Sequence, residues 1–165
     1  KILRLLASQY SKGMRVLRRC DNLNPVGFYL LYPTATSSEV NFFSDPSKSL
    51  HLSSISDIDP FNMALPGDQN CQSVFVRSWM IEPQYLSEYR IDFLEDAQKV
   101  LVEMQTDFPN LCDLYTLMIH PGYEKQALAL GCHKTSSDRQ LSIYWMYLPL
   151  DRFLALNIKE ALLKL

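Results

Sequence analysis

The passage "SVFVRSWMI" (73–81) followed by "EPQYLSEYRIDFLEDA" (82–97) limits the folds open to this chain more than any other. Its first part is an apolar and aromatic run that reads as a central strand, broken at Pro83. From about Ser87 to Thr106 the periodicity changes: Ile91, Leu94, Ala97, Leu101 and Met104 recur at intervals of three and four, which predicts a helix with one buried face. "DFPN" (107–110) ends that helix, and "LYTLMI" (114–119) is a second buried strand. "YEKQALAL" (123–130) is a short helix stopped by Gly131 in a left-handed cap. "QLSIYWMYL" (140–148) is a late strand, and Asp151 caps a final helix over 152–164. Strands alternating with helices predict an α/β architecture, a mixed and partly parallel sheet with helices on both faces.

The first half is less regular. "DNLNPV" (21–26) is a turn cluster, and "VGFYLLY" (26–32) is a buried strand ended by Pro33. Two short strands are expected near 39–43 and 48–54, followed by a long loop through 57–70 that reads as a lid or an excursion. At 165 residues, 47% of them hydrophobic, the chain suits one domain over 1–165. It starts at Lys1 without Met or a signal peptide, which reads as a fragment of a longer protein that lacks a first strand. No apolar run approaches the roughly 20 residues that span a bilayer, which argues against a membrane-spanning role.

Charge is unevenly spread. Residues 1–20 carry Lys1, Arg4, Lys12, Arg15, Arg18 and Arg19 and no acid, within a chain of net charge −2. Wound as a helix, these bases fall on one side and Ile2, Leu3, Leu5, Leu6, Tyr10, Met14, Val16 and Leu17 on the other. Such a face would suit nucleic acid, anionic lipid or an acidic partner, although a solvated face on an acidic domain is favoured, and a nucleic-acid partner is accordingly disfavoured. Cys20, Cys71, Cys112 and Cys132 form no C-x-x-C pair, and with His51, His120 and His133 they complete no metal-ligand pattern, so no metal is expected. Reduced thiols of a cytoplasmic protein are the reading. Cys132 and His133 are adjacent, but neighbours on a strand point to opposite faces, which disfavours a nucleophile–base pair.

The string "HPGYEKQALALGC" (120–132) resembles the closing segment of the GNAT acyltransferase family, where a strand ends in an Asn-Pro-Gly-like turn and a short helix leads to Tyr-x-x-x-Gly-Phe. Ile81, Glu82, Pro83, Gln84 and Tyr85 are similar to the strand end and x-Pro-x-Tyr that precede the family's diphosphate loop. "PVGFYLL" (25–31) is similar to its early strand. The resemblance implies a GNAT-like fold, acetyl-CoA or another acyl-CoA as cofactor, and acyl transfer to a small-molecule or peptide amine. It implies that the main chain of Met80, Ile81 and Glu82 holds the pantetheine arm, and that Leu86, Ser87, Glu88, Tyr89, Arg90 and Ile91 replace the loop signature Gln/Arg-x-x-Gly-x-Gly/Ala. Both glycines are absent there, Tyr89 stands where one belongs, and Glu88 repels an anion. Ala127 replaces the family's acidic Tyr, leaving His120 as candidate base and Tyr123 as candidate proton donor.

Two rivals stand beside acyl transfer: a GNAT-like module that has lost catalysis and binds a small molecule or a protein, and a nucleic-acid-associated domain using the basic N-terminal segment. A homodimer is left open. Glu82, Glu88, Asp92, Glu95 and Asp96 form an acid cluster that would attract an amine or bind a metal, or else complement the helix dipole. "YWMY" (144–147) with Trp79 lines an acceptor pocket or, by default, belongs to the core.

Overall fold

The computed structural model describes residues 9–44, 46, 59–138, 142–163 and 165. Six strands form one sheet: β1 (Met14–Arg18), β2 (Pro25–Thr34), β3 (Ser73–Ile81), β4 (Asp113–Met118), β5 (His133–Asp138) and β6 (Ile143–Pro149). Their spatial order is β1-β2-β3-β4-β6-β5. The β3–β4 pair is parallel and the other four pairs are antiparallel. The helices are α1 (Pro83–Asp107), α2 (Glu124–Ala129), α3 (Leu150–Ala155) and α4 (Ile158–Ala161). This is the mixed α/β sheet that the alternating pattern predicts.

Strand alternation sorts the core into two layers. Tyr29, Leu31, Val74 and Leu114 meet the buried face of α1, formed by Phe93, Leu94, Ala97, Val100, Leu101 and Met104. Leu30, Tyr32, Phe75, Tyr115 and Trp145 point the other way and pack with Phe42 and Phe61. There Phe42 stacks on Tyr115 at 4.2 Å. "YWMY" is thus mainly core: Trp145 and Met146 are fully buried.

Several expected elements differ. Residues 14–18 form an edge strand and Ser11–Gly13 a 3-10 turn, so the basic helix over 1–20 does not form across its second half, while residues 1–8 lie outside the described set. Tertiary pairing with β2 overrides the amphipathic pattern, and the cations are spent locally. Lys12 donates to Asp107 at 2.9 Å, Arg15 makes a double contact with Asp96 at 3.0 and 3.1 Å, Arg19 pairs with Asp21, and Arg18 donates to the Leu23 carbonyl. The expected strand at 39–43 is a 3-10 helix, Thr36–Phe43, and the one at 48–54 lies outside the described residues. Of the expected loop, residues 59–64 pack on the sheet: Phe61 is buried, and the Ala64 N–H donates to the Pro33 carbonyl. The final helix is broken at Leu156, whose backbone is extended, and Asn157 caps a separate short helix. β5 has no counterpart in the expected elements.

Candidate functional site

The parallel ladder between β3 and β4 covers only Ser73–Val76 against Asp113–Thr116. Beyond it both strands continue, β3 to Ile81 against β2 and β4 to Met118 against β6, with no pairing between them. The two parallel strands therefore part, beginning several residues before Pro83.

Two local features accompany the parting. Opposite the β2 register shift between Leu30 and Leu31, β3 carries one extra residue: Leu30 faces Ser78 and Leu31 faces Val76, leaving Arg77 unmatched. A bulge of this kind bends its strand and resets the alternation, so that Val76 and Trp79, three apart, both pack towards α1. Arg77 turns to the other face. Its guanidinium lies among the rings of Tyr32, Phe61 and Phe75 and donates to both Asp59 oxygens at 2.7 and 2.9 Å. At the apex, the Thr116 hydroxyl donates to the Val76 carbonyl at 3.3 Å, so a side chain makes the last contact across the pair. On the far side Gly27 holds β3 against β2, because a Cβ there would sit 2.8 Å from the Met80 carbonyl oxygen.

The opening holds a cavity of about 400 Å³. Trp79 and Met80 line one wall; Leu117, Met118, Ile119 and His120 line another; Tyr123, Gln126, Ala127 and Leu130 of the following turn and α2 close a third. The floor continues beneath α1 to Leu101, Leu114, Leu148 and Phe153.

The expected site residues fall into two groups. Met80, His120 and Tyr123 border the cavity. His120 is exposed at the end of β4, and its carbonyl accepts the Tyr123 N–H at 3.1 Å. Tyr123 is half-buried; its hydroxyl accepts the Ile81 N–H at 3.0 Å and lies 3.3 Å from the Ile81 carbonyl oxygen, to which it can donate. The Glu82 N–H donates to the Val26 carbonyl at 2.8 Å, so Ile81 turns its polar groups to the slot and Glu82 turns to β2.

Leu86, Ser87, Glu88, Tyr89 and Arg90 form the second group, and here the helix boundary needs correction. α1 begins at Pro83, not near Ser87. Proline at the first helical position is pre-set for helix, and no glycine follows to interrupt it. The N–H groups of residues 87–90 therefore fall where intrahelical bonding claims them. Ser87 and Glu88 are exposed, Tyr89 lies 6.4 Å from the ring of Tyr85, and the enclosed Arg90 Nε has no partner among the described residues. The Glu88 carboxylate raises the Tyr89 phenol above its ordinary range.

The arm and the diphosphate of an acyl-CoA call for different surroundings. The slot, with its main-chain groups and apolar walls, fits an extended thioester arm. The helix start does not fit a diphosphate: Pro83 has no N–H, the Tyr85 N–H is bonded to the Glu82 carbonyl at 2.9 Å, and the Glu82 side chain adds negative charge.

Other candidates are used structurally. Within the acid cluster, Asp96 accepts from Arg15 and, at 2.7 Å, from Tyr29. Burial would raise its carboxyl, but these bonds outweigh burial and hold it below the ordinary value. Among the described residues no three His, Cys, Asp or Glu side chains are placed to hold a metal. Burial pushes the Cys132 thiol up to about 11, so it is protonated at neutral pH and a poor nucleophile. Sequence reasoning missed Thr116, Arg77 and Gln126. The available signal was a polar residue inside an apolar run, as in "LYTLMI", or on the inward face of a short helix.

No protein-family model and no curated protein matches the sequence. Solved structures do. Ard1 from Thermoplasma volcanium superposes with a TM-score of 0.53 at 8% identity, covering 89% of this chain and 76% of that one. The C-terminal condensation domain of Ebony, in complex with beta-alanyl-dopamine, gives 0.55 at 9% identity, with 90% and 76% covered. AtaT complexed with acetyl-methionyl-tRNAfMet gives 0.52 at 13% identity, with 91% and 79% covered. Among the described residues no helix is long and apolar enough to cross a membrane. By the strand order and the one parallel pair among the described residues, and by these superpositions, the chain has the fold of the GNAT acyltransferases.

Proposed function

We propose that this domain binds an acyl thioester, carried as an acyl-CoA, in the slot between β3 and β4 and transfers the acyl group to an amine of a small molecule or peptide. The observation that carries the reading is the early end of the parallel ladder at Val76 and Thr116, with a cavity of about 400 Å³ beyond it. When bound, the thioester supplies an activated carbonyl; the chain supplies position and proton transfer. Main-chain groups of Trp79 and Ile81 on the slot edge hold the extended arm. The His120 imidazole, exposed at the mouth, takes the proton that the amine loses as the C–N bond forms and the C–S bond breaks. The Tyr123 hydroxyl gives a proton to the departing thiolate. The thioester arm and not the nucleotide end provides the grip, since the start of α1 lacks the amides a diphosphate needs. Acetyl-CoA at a concentration far above its dissociation constant should raise Tm by mass action, and free thiol should then appear in the presence of an amine. No shift at millimolar acetyl-CoA would remove the reading.

One observation favours a second reading, a GNAT-fold module that binds a ligand without turnover. In the free protein the Tyr123 hydroxyl already occupies the N–H and carbonyl of Ile81. On this reading binding is measurable while thiol release stays at background.

A further inference from the structure

The cavity is larger than acetyl transfer requires, and its excess volume is apolar. At the roughly 30 Å³ that a water-sized group occupies in a condensed phase, 400 Å³ holds about a dozen heavy atoms. The acetylated end of a thioester arm uses about half of them. The lining continues past Thr116, between the sheet and α1, where Leu94, Ala97, Leu101, Leu114, Leu148 and Phe153 are all buried and none is charged. A void of this lining gains little from water and is stabilised by hydrocarbon.

Two residues shape the way in. Ala127 is buried beside Met118 and Met146, and its small side chain leaves the passage open. Gln126 is nine-tenths buried on the same wall, and its carboxamide makes no hydrogen bond within the described residues. That side chain borders the cavity, where a ligand can reach it.

Resting on the reading of the slot as a thioester site, we infer that the acyl group it accepts is a medium-length hydrocarbon chain of about six to ten carbons. The chain lies in the apolar arm beneath α1, and a carbonyl of the ligand accepts a hydrogen bond from Gln126.

Calorimetric titration of the intact chain with acetyl-, hexanoyl-, octanoyl-, decanoyl- and tetradecanoyl-CoA, each below its micellar concentration, tests this. N-methyl amides of the same acids, which lack the nucleotide, form a second series. Affinity should rise about two- to fourfold per added methylene up to eight or ten carbons, then level or fall. Ala127→Leu, checked for folding by circular dichroism, should flatten the rise, and Gln126→Leu should weaken the whole amide series. An affinity independent of chain length overturns the inference and leaves the thioester reading standing. Chain-length-dependent binding of the amides with no binding of any acyl-CoA supports the apolar arm and overturns the thioester reading. Binding in neither series overturns both.

Discussion

The Tyr123 hydroxyl bridges to the main chain of Ile81, taking its N–H at 3.0 Å and lying 3.3 Å from its carbonyl, across 42 residues of sequence. This side chain spans the mouth of a slot that the two strands leave unpaired, so an extended ligand bonding to Ile81 must displace it.

Tyr123→Phe leaves both Ile81 groups without that partner and should lower stability by about 1–2 kcal/mol, read as a lower urea midpoint at unchanged slope. An acyl thioester that bonds to Ile81 should bind the variant at least as tightly, because no hydroxyl has to be moved. Weaker binding would show that the hydroxyl also holds the thioester before reaction.

Removing Asp59 leaves the Arg77 guanidinium, whose side chain is 1% exposed, among aromatic rings without its carboxylate. Asp59→Ala should cost about 3 kcal/mol or more, whereas Asp59→Ala combined with Arg77→Met should cost less, since no buried charge is then left unpaired. Chemical denaturation of the two variants checks the order.

Asp96 and Asp107 should make the fold acid-sensitive. Tyr10 and then Lys12 hold the Asp107 carboxyl below its ordinary 3.8, as Arg15 and Tyr29 do for Asp96 against burial. A carboxyl depressed in the folded state contributes fully above its unfolded value and loses that contribution as pH falls through its folded value. Tm should therefore decline as pH drops below about 4, and Asp96→Asn should be less stable at neutral pH with a shallower acid decline. An unchanged profile in the variant would contradict this.

Thiol labelling should be graded. Cys20 is exposed and should react first; Cys112 is exposed but burial and Asp113 push it up to about 11; Cys71 and Cys132, at about 12 and 11, should stay unmodified at neutral pH until the chain unfolds. Mass spectrometry of alkylated peptides gives the order.

If acyl transfer occurs, His120→Gln should reduce kcat/KM by about a hundredfold, with ligand affinity little changed. A loss confined to KM would assign His120 to binding.

Much of the second half was legible because several elements there announce their own period: the "SVFVRSWMI" strand, the Leu94–Ala97–Leu101 helix face and the Gly131 stop all appear as read, Gly131 with a φ of 96°, whereas the polar β5 and the break at Leu156 carry no such signal. The first half was not, because its structure depends on distant partners. Met14–Arg18 has helical amphipathicity but gains more from pairing with Gly27–Leu30, and the 36–43 segment folds around Phe42, a plug for rings contributed by three strands. Met80, His120 and Tyr123, named from the chain alone, line the cavity. The bulge at Arg77 could not be read there, since nothing in "VRSW" signals an extra residue until β2 sets the register.

Amide hydrogen exchange of the intact chain, with and without saturating acetyl-CoA, tests the central claim most directly. The slot account predicts new protection confined to Arg77–Ile81 and Leu117–Tyr123, with the paired segments Ser73–Val76 and Asp113–Thr116 unchanged. Protection located elsewhere, or none at millimolar ligand, would contradict it.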